Sequence, residues 1–174
     1  AAEFTQYPST SGDKVASICG FASGKLLLSI FAQGIFIFDP VTGNKQPFTI
    51  IDKEVNERLC LHGNTVNVYR NTPNTILLLG NHVYCYHLKE KQFSIVSEEK
   101  GINIIEGSLK AIACDGHSTY LNDIKHVYEL DNHSNKLRVL FTAQDDMNIN
   151  SVSMDESGCF WIGSNLGLVS YRPA

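Results

Sequence analysis

Apolar residues along the chain fall in short runs separated by polar turns, and the runs recur. Gly34-Ile35-Phe36-Ile37-Phe38-Asp39 is echoed by His82-Val83-Tyr84-Cys85-Tyr86-His87, by His126-Val127-Tyr128-Glu129-Leu130-Asp131 and by Gly167-Leu168-Val169-Ser170-Tyr171. Their anchors Ile35, Val83, Val127 and Leu168 stand 48, 44 and 41 residues apart. A second series precedes the first, with centres Leu27, Leu77, Tyr120 and Trp161 spaced by 50, 43 and 41. A third comes earlier still, at Ile18, Val68, Ile112 and Val152, with steps of 50, 44 and 40. Three series in one register mark an internal repeat of about 44 residues.

After each Ile35-type run a polar turn leads to another apolar stretch. Asp39 to Asn44 leads to Phe48-Thr49-Ile50, Leu88 to Lys91 to Phe93-Ser94-Ile95, and Asp131 to Asn135 to Leu137-Arg138-Val139-Leu140. Each unit therefore predicts four short strands joined by hairpins. A helical pattern of a turn or two competes only at Asp52 to Leu59. Ile35-Phe36-Ile37-Phe38 is continuously apolar, so both faces of its sheet are buried. Radial stacking of four-stranded sheets in a β-propeller supplies cover on both sides, whereas a sandwich leaves one face wet.

The predicted fold is all-β, with propeller blades at 15–51, 66–96, 109–141 and 149–174. Residues 3–8 read as a fourth strand that completes the last blade. The units form either a closed four-bladed ring or a fragment of a larger propeller; a fragment would bury its open faces by self-association, two chains making an eight-bladed ring. Trp161 reads as an inter-blade packing residue, since large aromatics serve cores.

Composition removes several function classes. The 174 residues are 43% hydrophobic and 18% charged, with formal charge −4 and no Lys/Arg cluster, which disfavours disorder and nucleic-acid binding. No apolar run is long enough to cross a membrane as a helix, so no membrane contact by this segment is expected. The five cysteines, Cys19, Cys60, Cys85, Cys114 and Cys159, lie at least 25 residues apart in or beside apolar runs, where unpaired thiols act as small hydrophobes. The six histidines show no metal-ligand spacing.

Gly20-Phe21-Ala22-Ser23-Gly24-Lys25 lacks the spacing and the Ser or Thr of a phosphate-binding loop and reads as a strand-to-strand turn. Gly163-Ser164-Asn165-Leu166-Gly167 has its serine misplaced for a nucleophile elbow and reads as a hairpin. The acidic pairs Glu98-Glu99 and Asp145-Asp146 read as solvated turns. No catalytic residue, cofactor or metal is expected, and no ligand-binding residue is assigned.

The last unit resembles the two-component-regulator propeller repeat at Asn150, Val152, Asp155, Gly158, Trp161, Ile162, Gly163, Gly167, Leu168 and Tyr171. Gly24, Gly34 and Asp115-Gly116 keep parts of the pattern in the first and third units. The resemblance implies a non-catalytic sensor segment in the periplasmic region of a hybrid two-component histidine kinase. Such receptors detect oligosaccharides and switch on polysaccharide-utilisation genes. The implied partners are an oligosaccharide and the rest of the receptor. Loops on a rigid scaffold carry recognition, so the blade-connecting segments Asp52 to Asn64, Ser97 to Glu106 and Thr142 to Asn148 either contact the ligand or merely link blades. The alternatives are a propeller lyase acting on a polysaccharide or cyclic ester, which needs a convergent His/Glu or metal cluster, and a protein-interaction scaffold.

Overall fold

The computed structural model describes residues 2–7, 12–49, 52–60 and 66–174, apart from the side chains of residues 56, 58 and 60. Sixteen strands form among these residues. The first sheet runs β1 (Val15–Gly20), β2 (Leu26–Ile30), β3 (Gly34–Phe38) and β4 (Lys45–Pro47). Helix α1 (Lys53–Cys60) follows, matching the helical pattern at Asp52 to Leu59, and the Asp52 carboxylate accepts from the Val55 N–H at its start. The second sheet is β5 (Asn67–Thr72), β6 (Thr75–Leu79), β7 (Val83–His87) and β8 (Gln92–Ile95). After β9 (Ser97–Glu98), the third contains β10 (Lys110–Cys114), β11 (Ser118–Asn122), β12 (His126–Asp131) and β13 (Lys136–Thr142). The fourth holds β14 (Ile149–Met154), β15 (Phe160–Ser164) and β16 (Gly167–Tyr171).

The sheets are propeller blades stacked side by side. Their first strands are neighbours: the Ser17 hydroxyl accepts from the Val68 N–H at 2.9 Å, and Asn67 Nδ2 donates to the Leu109 carbonyl at 2.7 Å. Three apolar layers separate successive blades. Leu27, Ile35 and Cys19 of the first meet Val68, Ile76, Leu78, Tyr84 and Tyr86 of the second. Leu77, Leu79, Val83 and Cys85 of the second meet Leu121, Tyr128, Leu130 and Leu137 of the third. Val127 and Tyr120 of the third meet Phe160, Ile162 and Val169 of the fourth. Alternate residues of one strand thus enter two different layers, which is why the runs are apolar throughout.

Three details differ from the sequence reading. The fourth strand of the first blade is Lys45–Pro47, ahead of Phe48-Thr49-Ile50, of which Ile50 lies outside the described residues. Gly43, at φ +72°, lets its N–H reach the Asp39 carbonyl at 2.8 Å, so the chain has already reversed at Asn44 and pairing starts at Lys45 opposite Phe38. Phe48 instead places its ring against Phe21, Tyr86 and Phe93 between the first two blades.

The fourth strand that residues 3–8 were expected to give the last blade is not formed: residues 2–7 make no strand, and residue 8 lies outside the described residues. The Tyr7 ring stands edge-on to Phe38 at 5.0 Å and its hydroxyl donates to the Pro40 carbonyl at 2.8 Å, which hold this segment on the first blade. The sixteenth strand is β9, which leaves the second blade and pairs parallel with β13 of the third, through Ser97 N–H to Asn135 O and Glu99 N–H to Leu137 O.

Trp161 does not pack between blades. β15 turns Phe160 and Ile162 toward the third blade, so Trp161 points to the opposite, uncovered face and is 44% exposed. Its indole N–H donates to Asp155 Oδ2 at 2.9 Å. Asp155 also caps its own turn, where Gly158 at φ +77° permits the reversal; hydrogen bonds from Ser157 and Trp161 hold its carboxyl well below the usual range.

Candidate functional site

A four-stranded antiparallel meander puts its second turn and its exit to the next blade at the same end. The three connecting segments therefore gather with the turns between the second and third strands on one rim, and each is fastened there. Leu59 of α1 lies 3.5 Å from where a side chain on Gly80 would start. Ser108 Oγ donates to the Ile105 carbonyl, and the Ile124 N–H donates to Ser108 Oγ. Lys125 Nζ donates to the carbonyls of Asp145 and Met147 at 2.9 and 2.6 Å, while Asn165 Oδ1 accepts from the Asn148 N–H at 2.6 Å. Residues 61–64 of the first segment lie outside the described residues.

The centre of this rim is Asp123, which is fully buried. Its Oδ1 accepts from the N–H groups of Lys125 and His126, both at 2.7 Å; Oδ2 accepts from the Ile105 N–H at 2.9 Å and the Tyr128 hydroxyl at 2.7 Å. His126 Nδ1 lies 3.1 and 3.2 Å from the two oxygens. A buried carboxylate with this many donors is a structural knot. It ties the 97–106 connection to the turn of the third blade and orients the His126 ring. Burial first, and then the hydrogen bond to Asp123, push the Tyr128 hydroxyl far above its usual pKa, so it stays a donor. Beside it, His82 Nδ1 and Glu98 Oε1 pair at 2.7 Å, joining the same connection to the second blade.

The sequence reading passed over Asp123, His126 and Tyr128. The available signal was their spacing: His126 and Tyr128 share one face of a strand, and Asp123 sits at the turn just before it. Glu98, expected in a solvated turn, is half-buried in its pair with His82, whereas Glu99 is exposed. Asp145 and Asp146 contribute backbone carbonyls to the rim. Among the described residues, no three His, Cys, Asp or Glu side chains gather to hold a metal.

Clefts lie on the outer edges of the blades. One of about 390 Å³ has Tyr86 and Phe93 as aromatic walls, with Thr49, Asp52, Lys91 and Gln92 around it. Another, of about 340 Å³, is lined by Glu99, Glu129, Asp131, Ser134, Lys136 and Arg138, with Arg138 paired to Glu129.

The thiols behave as packing groups. Cys85 and Cys159 are buried, Cys19 and Cys114 half-buried, and the Cys60 side chain lies outside the described residues. Burial pushes Cys19 and Cys85 up to about 11 from 9.0, lowering their thiolate fraction at pH 8 about a hundredfold. Iodoacetamide at pH 8 is expected to leave Cys85 unmodified in the native protein and to label it in urea, as read by peptide mass spectrometry. Rapid native labelling would show that the second and third blades separate.

No protein-family model and no curated protein matches the sequence. Solved structures do. The extracellular domain of a hybrid two-component system from B. thetaiotaomicron matches 92% of this chain at TM-score 0.65 and 16% identity, and this chain covers 21% of it. A second such domain from the same organism matches 95% of the chain at TM-score 0.63 and 14% identity, with 23% of its own length covered. Virginiamycin B lyase from Staphylococcus aureus matches 97% of the chain at TM-score 0.62 and 11% identity, with 59% of its length covered. These likenesses establish the propeller fold, and the chain spans about a fifth of the two-component-system domains.

Proposed function

We propose that this chain is a non-catalytic recognition segment of an extracytoplasmic, periplasmic sensor of the hybrid two-component type, with an oligosaccharide as its ligand. The observation that carries this reading is the fold-level likeness to two sensor extracellular domains over more than nine-tenths of the chain, joined to the repeat pattern of the last unit. The rim supports it physically. Its connections are fixed by hydrogen bonds to neighbouring blades, so a ligand held there would bear on two blades at once.

A lyase reading has the S. aureus enzyme as a neighbour and His126 as its candidate base. The five donors around Asp123 favour the non-catalytic reading, because they assign His126 to holding the turn. Isothermal calorimetry against a panel of plant and host oligosaccharides tests the proposal. Saturable binding without turnover of the glycan is expected, and it should be lost when Lys125, which pins the 142–148 connection, becomes alanine. Depolymerisation that stops in His126→Ala would overturn it in favour of the lyase.

A further inference from the structure

We infer that the aromatic-walled cleft at the outer edge between the first two blades is a subsite for one neutral sugar ring, stacked on Tyr86 and Phe93. The inference rests on the oligosaccharide reading and adds to the rim a second place where the glycan is held.

The walls come from strand register. Tyr86 and Phe93 face one another across β7 and β8, with ring centroids 4.8 Å apart and planes tilted by 46°. Behind them stand Phe48, 5.2 Å from Tyr86, and Phe21, 6.4 Å from Tyr86 and stacked on it. Deeper in the same layer, Leu27, Ile76 and Leu78 close on one another and are fully buried or nearly so. At its outer margin the layer turns aromatic and stops short, leaving about 390 Å³ lined also by Thr49, Asp52, Lys91 and Gln92. Apolar walls with a few convergent polar groups, at this volume, are the makeup of a small-molecule site.

The lining selects the ligand by exclusion. An anion meets the Asp52 carboxylate, a cation meets Lys91, and an apolar molecule desolvates both charges with nothing in return. A pyranose leaves neither unmet. Its ring carbons turn polarised C–H bonds toward the negative face of an aromatic ring, and its hydroxyls, each a donor and an acceptor, lie around the edge. Asp52 accepts there, Lys91 donates, and Gln92 and Thr49 do both. Other clefts lack this combination. The one on the third blade is walled by the Glu129–Arg138 pair, and one of about 280 Å³ on the first blade by Lys25, Asp39 and Lys45.

The turn that carries Lys91 points the same way. Lys91 holds φ at +53°, a left-handed conformation, in the hairpin turn where the first blade has Gly43 and the third has Asn135. Glycine and asparagine enter that conformation readily, whereas a lysine gains nothing locally from it. Asp52 links the cleft to the rim: its carboxylate caps α1 at Val55, and α1 sets Leu59 against Gly80.

Methyl pyranosides of glucose, galactose, mannose and xylose, titrated into the full 174-residue chain and followed by amide and aromatic-ring NMR, test the assignment. At least one is expected to give saturable shifts at Lys91, Gln92 and the Phe93 ring. Cyclohexanol, with the same ring size and a single hydroxyl, should not saturate. Lys91→Gly, which relaxes the turn, and Gln92→Ala should each weaken the sugar about fivefold, the worth of one hydrogen bond. No saturation with any of these glycosides, saturation confined to the rim, an equal response to cyclohexanol, or unchanged affinity in both variants would each overturn the subsite. Oligosaccharide binding by calorimetry alongside any of those results would leave the recognition reading standing without it; no binding in either measurement would remove both.

Discussion

Asp123→Ala is expected to lower the stability of the fold by about 3–5 kcal/mol, because deleting a buried, charged acceptor strands every donor that converges on it. The Tyr128 hydroxyl and the Ile105, Lys125 and His126 N–H groups lose their partner together, in a place closed to water. For a chain of this size the loss corresponds to roughly 10 °C in melting temperature. Tyr128→Phe, which removes one donor and leaves the carboxylate its others, should cost about 1 kcal/mol. Urea unfolding of the two variants checks the ratio. Equal costs would show that the Tyr128 bond, and not the convergence on Asp123, holds the turn. The loss should also free the 97–106 connection first, seen as faster amide exchange at Ile105.

The second large effect separates two adjacent residues. Phe160 is buried between Tyr120, 5.2 Å away, and Tyr171, so Phe160→Ala should cost about 3–5 kcal/mol through lost burial and the cavity left behind. Trp161→Ala, one residue on, should cost about 1 kcal/mol or less, since its ring lies on the open face. Among the described residues the last blade packs on the third blade alone, and in a repeat array each unit is held by its neighbours. Amide exchange in Phe160→Ala should accordingly rise across β14 to β16 before it rises in β5 to β8. A Trp161→Ala loss as large as that of Phe160→Ala would mean that the two faces of β15 have been assigned the wrong way round.

Much of the architecture was legible in the chain because the repeat is local. Runs anchored at Ile35, Val83, Val127 and Leu168 became the third strands of their sheets, and Gly20 to Lys25 and Gly163 to Gly167 became turns, since each is governed by neighbours a few residues away. Trp161 carries the pattern of an inter-blade residue, but among the described residues no blade lies against its face, and exposure depends on that cover. Residues 3–7 carry the pattern of an outer strand, but Tyr7 packs on Phe38 and Pro40 of the first blade.

The candidate site was less legible. Its frame, the three connecting segments, followed from the repeat; its chemistry did not. Asp123 gathers donors from residues 105, 125, 126 and 128, and His82 meets Glu98 from a different blade. Hydrogen bonds such as Ile105 to Asp123 depend on how far one blade is rotated against the next, and no spacing along the chain encodes that angle.

The sequence by itself determined the number of units, their strand order, the turns that join them and the continuous apolar character that demands cover on both faces. Alternation of side chains and the conformational limits of glycine and aspartate turns act over a few residues, so they can be read in order along the chain. Only the tertiary structure decided which side chains meet between blades and which carboxylate becomes the anchor of the rim. Those outcomes depend on contacts between blades, where burial and hydrogen bonding join residues that the chain itself keeps far apart.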